Sequence, residues 1–202
     1  FVTVQPGSSI YIYKAAVTSG DKAAFKSNVQ TLTAPGRAST PIAPTINYDN
    51  ETLTGTTTGM EYGVVTSEQS SPDEWKDCTD NMTLENLGWT GSEMTVQFRT
   101  AATDGPDGKY ASEPTQALTI PARPESPTAP TVKDKTDKSI TISTTDGIQY
   151  RLGNDGQWQS GKDGSLTFDN LTEGTKYTIY ARNPASNGQF ASAEAFTEVS
   201  TK

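Results

Sequence analysis

Histidine is absent from the 202 residues and cysteine occurs once, as Cys78. Zinc centres of the usual kind need clusters of those two residues, so none is expected here. A Ser-His-Asp or Cys-His nucleophile is excluded for want of a histidine base. One cysteine cannot form an internal disulfide, so the fold must hold without covalent staples. Cys78 lies in Asp77-Cys78-Thr79-Asp80, among carboxylates that raise a thiol's pKa, which marks it as structural or incidental. Long apolar runs are also missing. Nothing approaches the roughly 20 residues of a membrane-spanning helix, and no signal peptide is recognisable. Hydrophobic residues make up 32% of the chain and mean hydropathy is −0.60, so the core must be thin, as in a small β-sandwich. No stretch of a dozen residues carries a helical apolar stripe.

Positive charge is scarce in the middle of the chain. The net charge is −8, and it divides as +2 over residues 1–36, −8 over 37–123 and −2 over 124–202. An acidic surface repels phosphate backbones, so nucleic acid is not an expected partner.

What the chain does have is self-similarity. Leu84-Glu85-Asn86-Leu87 returns 84 positions later as Phe168-Asp169-Asn170-Leu171, and Pro41-Ile42-Ala43-Pro44-Thr45-Ile46 returns 86 positions later as Pro127-Thr128-Ala129-Pro130-Thr131-Val132. A period near 85 exceeds the roughly 20–50 residues of solenoid repeats and suits a small all-β domain used in tandem. Residues 124–202 set the pattern. Strands are predicted over Ser139–Ser143, Ile148–Leu152, Ser165–Phe168, Tyr177–Ala181 and about Glu194–Val199, with Asn154-Asp155-Gly156 as a turn. Residues 37–123 follow the same course. Leu53 stands for Ile140, Met60 for Ile148, Tyr62 for Tyr150 and Trp75 for Trp158; five extra residues fall within Thr66–Glu74, and Met94 takes the place of Tyr177.

Residues 1–36 match only the back half of a unit, with Phe1 answering Phe168, Val4 answering Leu171 and Ile10 answering Tyr177. A lone hairpin of that size buries too little to stand alone. It is expected to pair with another chain, to pack on the second unit, or to be the remnant of a lost domain. The chain opens mid-pattern without a methionine, as a segment of something longer would. Two linkers join the units, Pro35-Gly36-Arg37 through Pro44 and Pro121-Ala122-Arg123 through Pro130. They hold seven of the twelve prolines and should act as semi-rigid spacers in a stiff rod.

Leu171-Thr172-Glu173-Gly174-Thr175-Lys176-Tyr177 resembles the signature of a fibronectin type III domain, in which a leucine precedes a corner tyrosine by six positions. The resemblance implies tandem fibronectin III-like β-sandwiches, all-β, with an N-terminal half-repeat: 1–36 as the half-repeat, 37–123 and 124–202 as domains. It assigns Leu171 and Tyr177 to the structural corner, the tyrosine hydroxyl bonding back to the chain. The usual tryptophan of the second strand is missing; placing it after the third strand is similar to repeats of large Gram-positive surface proteins.

Three tryptophans are the candidate ligand contacts. Trp75 and Trp158 stand at equivalent positions, where an exposed indole would stack on a sugar; recurrence in two units favours the other reading, that each closes the end of its sandwich core. Trp89, found in one unit only, is the candidate for an exposed contact. Asp104 with Asp107, and Asp77 with Asp80, fit acidic turns better than a calcium site, which needs six to eight oxygens. No cofactor and no metal are expected. The expected role is a non-enzymatic spacer and interaction module of a large extracellular bacterial surface protein. Its partners would be neighbouring domains of the same polypeptide, with a surface glycan or host protein as ligand and strand exchange through the half-repeat. The alternative is a carbohydrate-binding accessory module of a secreted glycan-degrading enzyme.

Overall fold

The computed structural model describes residues 3–20, 24–66, 68–162, 164–186 and 188–202. Phe1, the expected counterpart of Phe168, lies outside them. The chain is all-β, with one turn of helix among the described residues. It divides into two compact units that cut across the sequence repeats: Phe1–Pro44, Gly55–Met82 and Thr95–Thr119 form one, and Thr45–Thr54, Thr83–Met94 and Ile120–Lys202 form the other.

The first unit opens with an antiparallel hairpin of β1 (Ser9–Ile12) and β2 (Gln30–Thr33), in register from Ser9 opposite Thr33 to Ile12 opposite Gln30. Tyr11, Ile12 and Leu32 on it are exposed. The hairpin falls in the same compact unit as parts of the second repeat.

The second repeat contributes β3 (Thr45–Asn47), β4 (Thr52–Thr54), β5 (Met60–Val65), β6 (Lys76–Asp77), α1 (Leu84–Leu87), β7 (Met94–Thr100) and β8 (Leu118–Ile120). Strands β6-β5-β7-β8 make one four-stranded sheet. On β5, Met60 and Tyr62 are buried while Glu61 between them is half-buried, the alternation of a strand with one covered face. Gly63 breaks that alternation for a local reason. A Cβ there would run into the Pro72 ring and lie 2.8 Å from the Glu74 carbonyl, so glycine lets the inserted loop close over the strand.

In the second unit β3 and β4 pair antiparallel, joined by a turn in which Glu51 takes a positive φ of 56°. The α1 turn departs from the repeat pattern. Leu84-Glu85-Asn86-Leu87 is helical, whereas its look-alike Phe168-Asp169-Asn170-Leu171 ends a strand and turns. The cause lies at the ends of each segment. Thr83 caps the helix by accepting from the Asn86 amide, and Gly88, at φ 91°, closes it by donating to the Leu84 and Glu85 carbonyls. After Leu171 comes Thr172 instead of glycine, and Asn170 itself takes the left-handed conformation at φ 60°.

The third repeat supplies β9 (Thr131–Lys135), β10 (Ile140–Ser143), β11 (Gln149–Leu152), β12 (Gln159–Ser160), β13 (Ser165–Phe168), β14 (Lys176–Arg182) and β15 (Ala195–Ser200). These form a three-stranded sheet, β13-β10-β9, and a four-stranded one, β12-β11-β14-β15, with antiparallel pairings throughout. Ile140, Ile142 and Phe168 from the first meet Tyr150, Ile179 and Ala181 from the second in one buried cluster, with Leu171 and Tyr177 packed at its margin. This is a two-sheet β-sandwich. Burial of each large apolar side chain contributes roughly 1.5–3 kcal/mol.

Candidate functional site

The second unit holds a side-chain cluster that joins β3–β4, α1 and the loop before β15. Phe190, on the loop between β14 and β15, is fully buried. Its ring lies 4.5 Å from the Trp89 indole and 4.9 Å from the Tyr48 ring, centroid to centroid, both tilted. Trp89 follows the helix cap, and its indole nitrogen donates to the Ser92 carbonyl at 2.7 Å.

Arg123, from the linker, ties the cluster together. Its guanidinium lies over Trp89 at 4.9 Å, Nη2 pairs with the Glu51 carboxylate at 2.7 Å, and Nη1 donates to the Ala191 carbonyl at 2.9 Å. The Arg123 amide donates to the Gly91 carbonyl at 2.7 Å. A planar, five-donor guanidinium serves three partners at once, which an ammonium cannot do. Chemically the cluster binds chain to chain: its aromatic faces and its cation are already occupied.

Trp89 is therefore not the exposed contact its loop position suggested, since only 7% of its surface is exposed. The signal missed was Phe190, far along the chain, whose ring covers it.

Trp75 and Trp158 also depart from expectation. Each is half-buried, and Trp158 stands outside the buried cluster of the third repeat. Trp158 carries Arg182 at 4.1 Å and Arg151 at 4.6 Å; Arg151 in turn makes a two-pronged pair with Glu194, and Arg182 Nε donates to Gln149. Burial draws Arg182 below its ordinary pKa, Glu194 opposes that shift, and Arg151 adds to it. Trp75 carries Arg99 at 4.3 Å, whose Nε bonds Glu61 at 2.6 Å. Each indole lies against an arginine on the sheet, because alternation along β7 and β14 turns Arg99 and Arg182 away from the buried Phe98 and Ala181. A guanidinium thus takes up an indole face that would otherwise be free to stack on a pyranose.

Tyr177 accepts a hydrogen bond at its hydroxyl from the Thr172 amide at 2.9 Å, with Leu171 packed beside it. Cys78 is buried, and its thiol is pushed up to about 11, first by burial and then by Asp77 and Glu61. Asp104 and Asp107 are exposed on a hairpin, and Asp80 accepts from the Thr58 amide at 3.1 Å. Among the described residues no three His, Cys, Asp or Glu side chains gather as a metal ligand set.

Sequence reasoning missed Tyr48, Glu51, Arg123 and Phe190. Two of them left a signal: arginine follows the Pro-rich start of both linkers, as Arg37 and Arg123, and an aromatic-X-Ser triplet at 25–27, 110–112 and 158–160 recurs at 190–192 with Phe190.

No family model matches the chain, and no curated protein matches it. Solved structures do. The FN1–FN3 domains of chicken contactin (CNTN1) align over 98% of this chain and 78% of that one, at 16% identity and a TM-score of 0.35. A segment of two fibronectin type III domains from chicken tenascin aligns over 80% of this chain and 99% of that one, at 16% identity and a TM-score of 0.33.

Proposed function

We propose that this chain is a non-enzymatic structural and interaction segment of a large extracellular surface protein of a Gram-positive bacterium, in which sandwich repeats are joined into a spacer. The observation that carries the reading is the buried Phe190, held between Tyr48 and Trp89 and tied through Arg123. A joint filled by aromatic side chains resists bending as a bare linker does not. Its first partners are neighbouring domains of the same polypeptide; a surface glycan or a host protein is the class of ligand such an array would present itself to. The acidic surface speaks against nucleic acid.

Antibodies against the 202-residue chain test this on cells of the source organism. Labelling of intact cells, removed by brief external proteolysis, is the expected result. Labelling only after permeabilisation contradicts it. The carbohydrate-module alternative draws no support from the indoles, since Trp89 is buried and guanidinium groups cover Trp75 and Trp158.

A further inference from the structure

Three hairpins carry one arrangement. In Phe25-Lys26-Ser27, Tyr110-Ala111-Ser112 and Phe190-Ala191-Ser192, the serine makes the same three hydrogen bonds. Its amide donates across the hairpin to the carbonyl of Lys14, Thr100 or Asn183, each at 3.0 Å. Its hydroxyl accepts from the amide of that same residue, at 2.8, 2.9 and 2.9 Å. The hydroxyl then donates to the next carbonyl, that of Asn28, Glu113 or Ala193, at 3.0, 2.8 and 2.8 Å. Three bonds from one serine fix the local backbone, so Phe25, Tyr110 and Phe190 occupy the same place on their hairpins.

Their surroundings differ. Phe190 is 0% exposed, Tyr110 48% and Phe25 98%. Phe190 has the aromatic socket of Tyr48 and Trp89, and Arg123 on the neighbouring Ala191 carbonyl. Tyr110 has the linker alone: its amide donates to Gly36, its carbonyl accepts from Ala38, and Arg37 Nη1 reaches Ala111 at 2.9 Å. Among the described residues no aromatic socket surrounds Phe25, and no arginine reaches the Lys26 carbonyl. At Phe190 this framework buries its aromatic in a socket; Phe25 holds the same place on its hairpin with its ring fully exposed.

We infer that Phe25 is the docking residue of a third joint of this kind, and that its occupant is the end of another β-sandwich repeat, N-terminal in the same polypeptide, presenting an aromatic socket. A second copy of this chain does not supply that socket, because Tyr48 and Trp89 already hold Phe190. The third repeat does not supply it either, since Thr172-Glu173-Gly174-Thr175-Lys176 stands where the second repeat has Trp89. The inference rests on reading the chain as part of a longer repeat array, and its test separates the two.

The test is thiol reactivity of Phe25→Cys. Cys78 stays silent, being buried with its thiol pushed up to about 11. The variant is compared in the 202-residue chain, in a chain extended upstream by about 50 residues of the parent to complete the first unit, and in one extended by about 135 to add a further unit. The introduced thiol should react freely in the first two and about tenfold or more slowly in the third. Equal rates in all three, protection already complete with the shorter extension, or a parent with no sandwich repeat upstream overturns the inference. Surface labelling of intact cells tests the spacer reading independently, whatever the rate at the introduced thiol.

Discussion

Phe190 and Trp89 are separated by 100 residues in sequence, yet their ring centroids lie 4.5 Å apart at an interplanar angle of 43°. The phenylalanine sits on a loop of the third repeat and the tryptophan follows the one-turn helix of the second, so the contact unites elements that the sequence repeat assigns to different domains. Shared burial of this kind makes their unfolding interdependent.

Arg123 should resist conservative replacement. Lysine keeps the charge but cannot reach Glu51 and the Ala191 carbonyl together while lying flat on Trp89. Arg123→Lys should lower stability by about 1–2 kcal/mol, read as a lower urea midpoint with unchanged slope. A midpoint equal to wild type would mean the guanidinium geometry is incidental.

Tyr177→Phe removes the hydroxyl that accepts from the Thr172 amide. The expected loss is about 1 kcal/mol, measured by thermal unfolding. Met94→Tyr should give no matching gain, because the capped α1 turn already closes that corner of the second repeat. A gain of the same size would show that the tyrosine corner is simply missing there.

Gly63→Ala should cost about 1–3 kcal/mol through contact with Pro72 and the Glu74 carbonyl. Combining it with Pro72→Gly should recover part of that loss. Recovery failing, with the single variant still unstable, would place the strain elsewhere.

Cys78 sets an alkaline limit. Its pKa is raised in the fold, from 9.0 to about 11, so the protonated thiol is the form the fold favours. Its contribution is fully present below pH 9 and is lost as pH rises toward 11, about 2–3 kcal/mol in all. Cys78→Ala should flatten the fall in stability between those values relative to wild type. Identical slopes would show that the thiol titrates as it does in the unfolded chain.

The third repeat was legible because its strands alternate cleanly: Ser165–Phe168 begins and ends where the pattern places it, and the other predicted strands differ by one or two residues. The helix at Leu84–Leu87 was not, since sequence likeness to 168–171 outweighed a decisive neighbour, Gly88 against Thr172. The tryptophans follow a related logic. Recurrence at Trp75 and Trp158 reflects a recurring arginine, Arg99 and Arg182, as readily as a recurring core position. Trp89 looked solitary because its partner is distant in sequence. In the linkers the prolines restrict the local backbone, while the side chains that reach across are Arg37 and Arg123. Propensity reports the local chain; long-range pairing of an arginine or a phenylalanine leaves only a faint trace in spacing.

The most direct measurement is a double-mutant cycle on Trp89→Leu and Phe190→Leu, followed by calorimetry and by denaturant unfolding. If the aromatic contact joins the two repeats, the double variant should lose less than the sum of the singles by about 1 kcal/mol or more, and the second unit should melt in one transition that splits when either ring is removed. Additive losses, with the transitions unchanged in number, would contradict the joint.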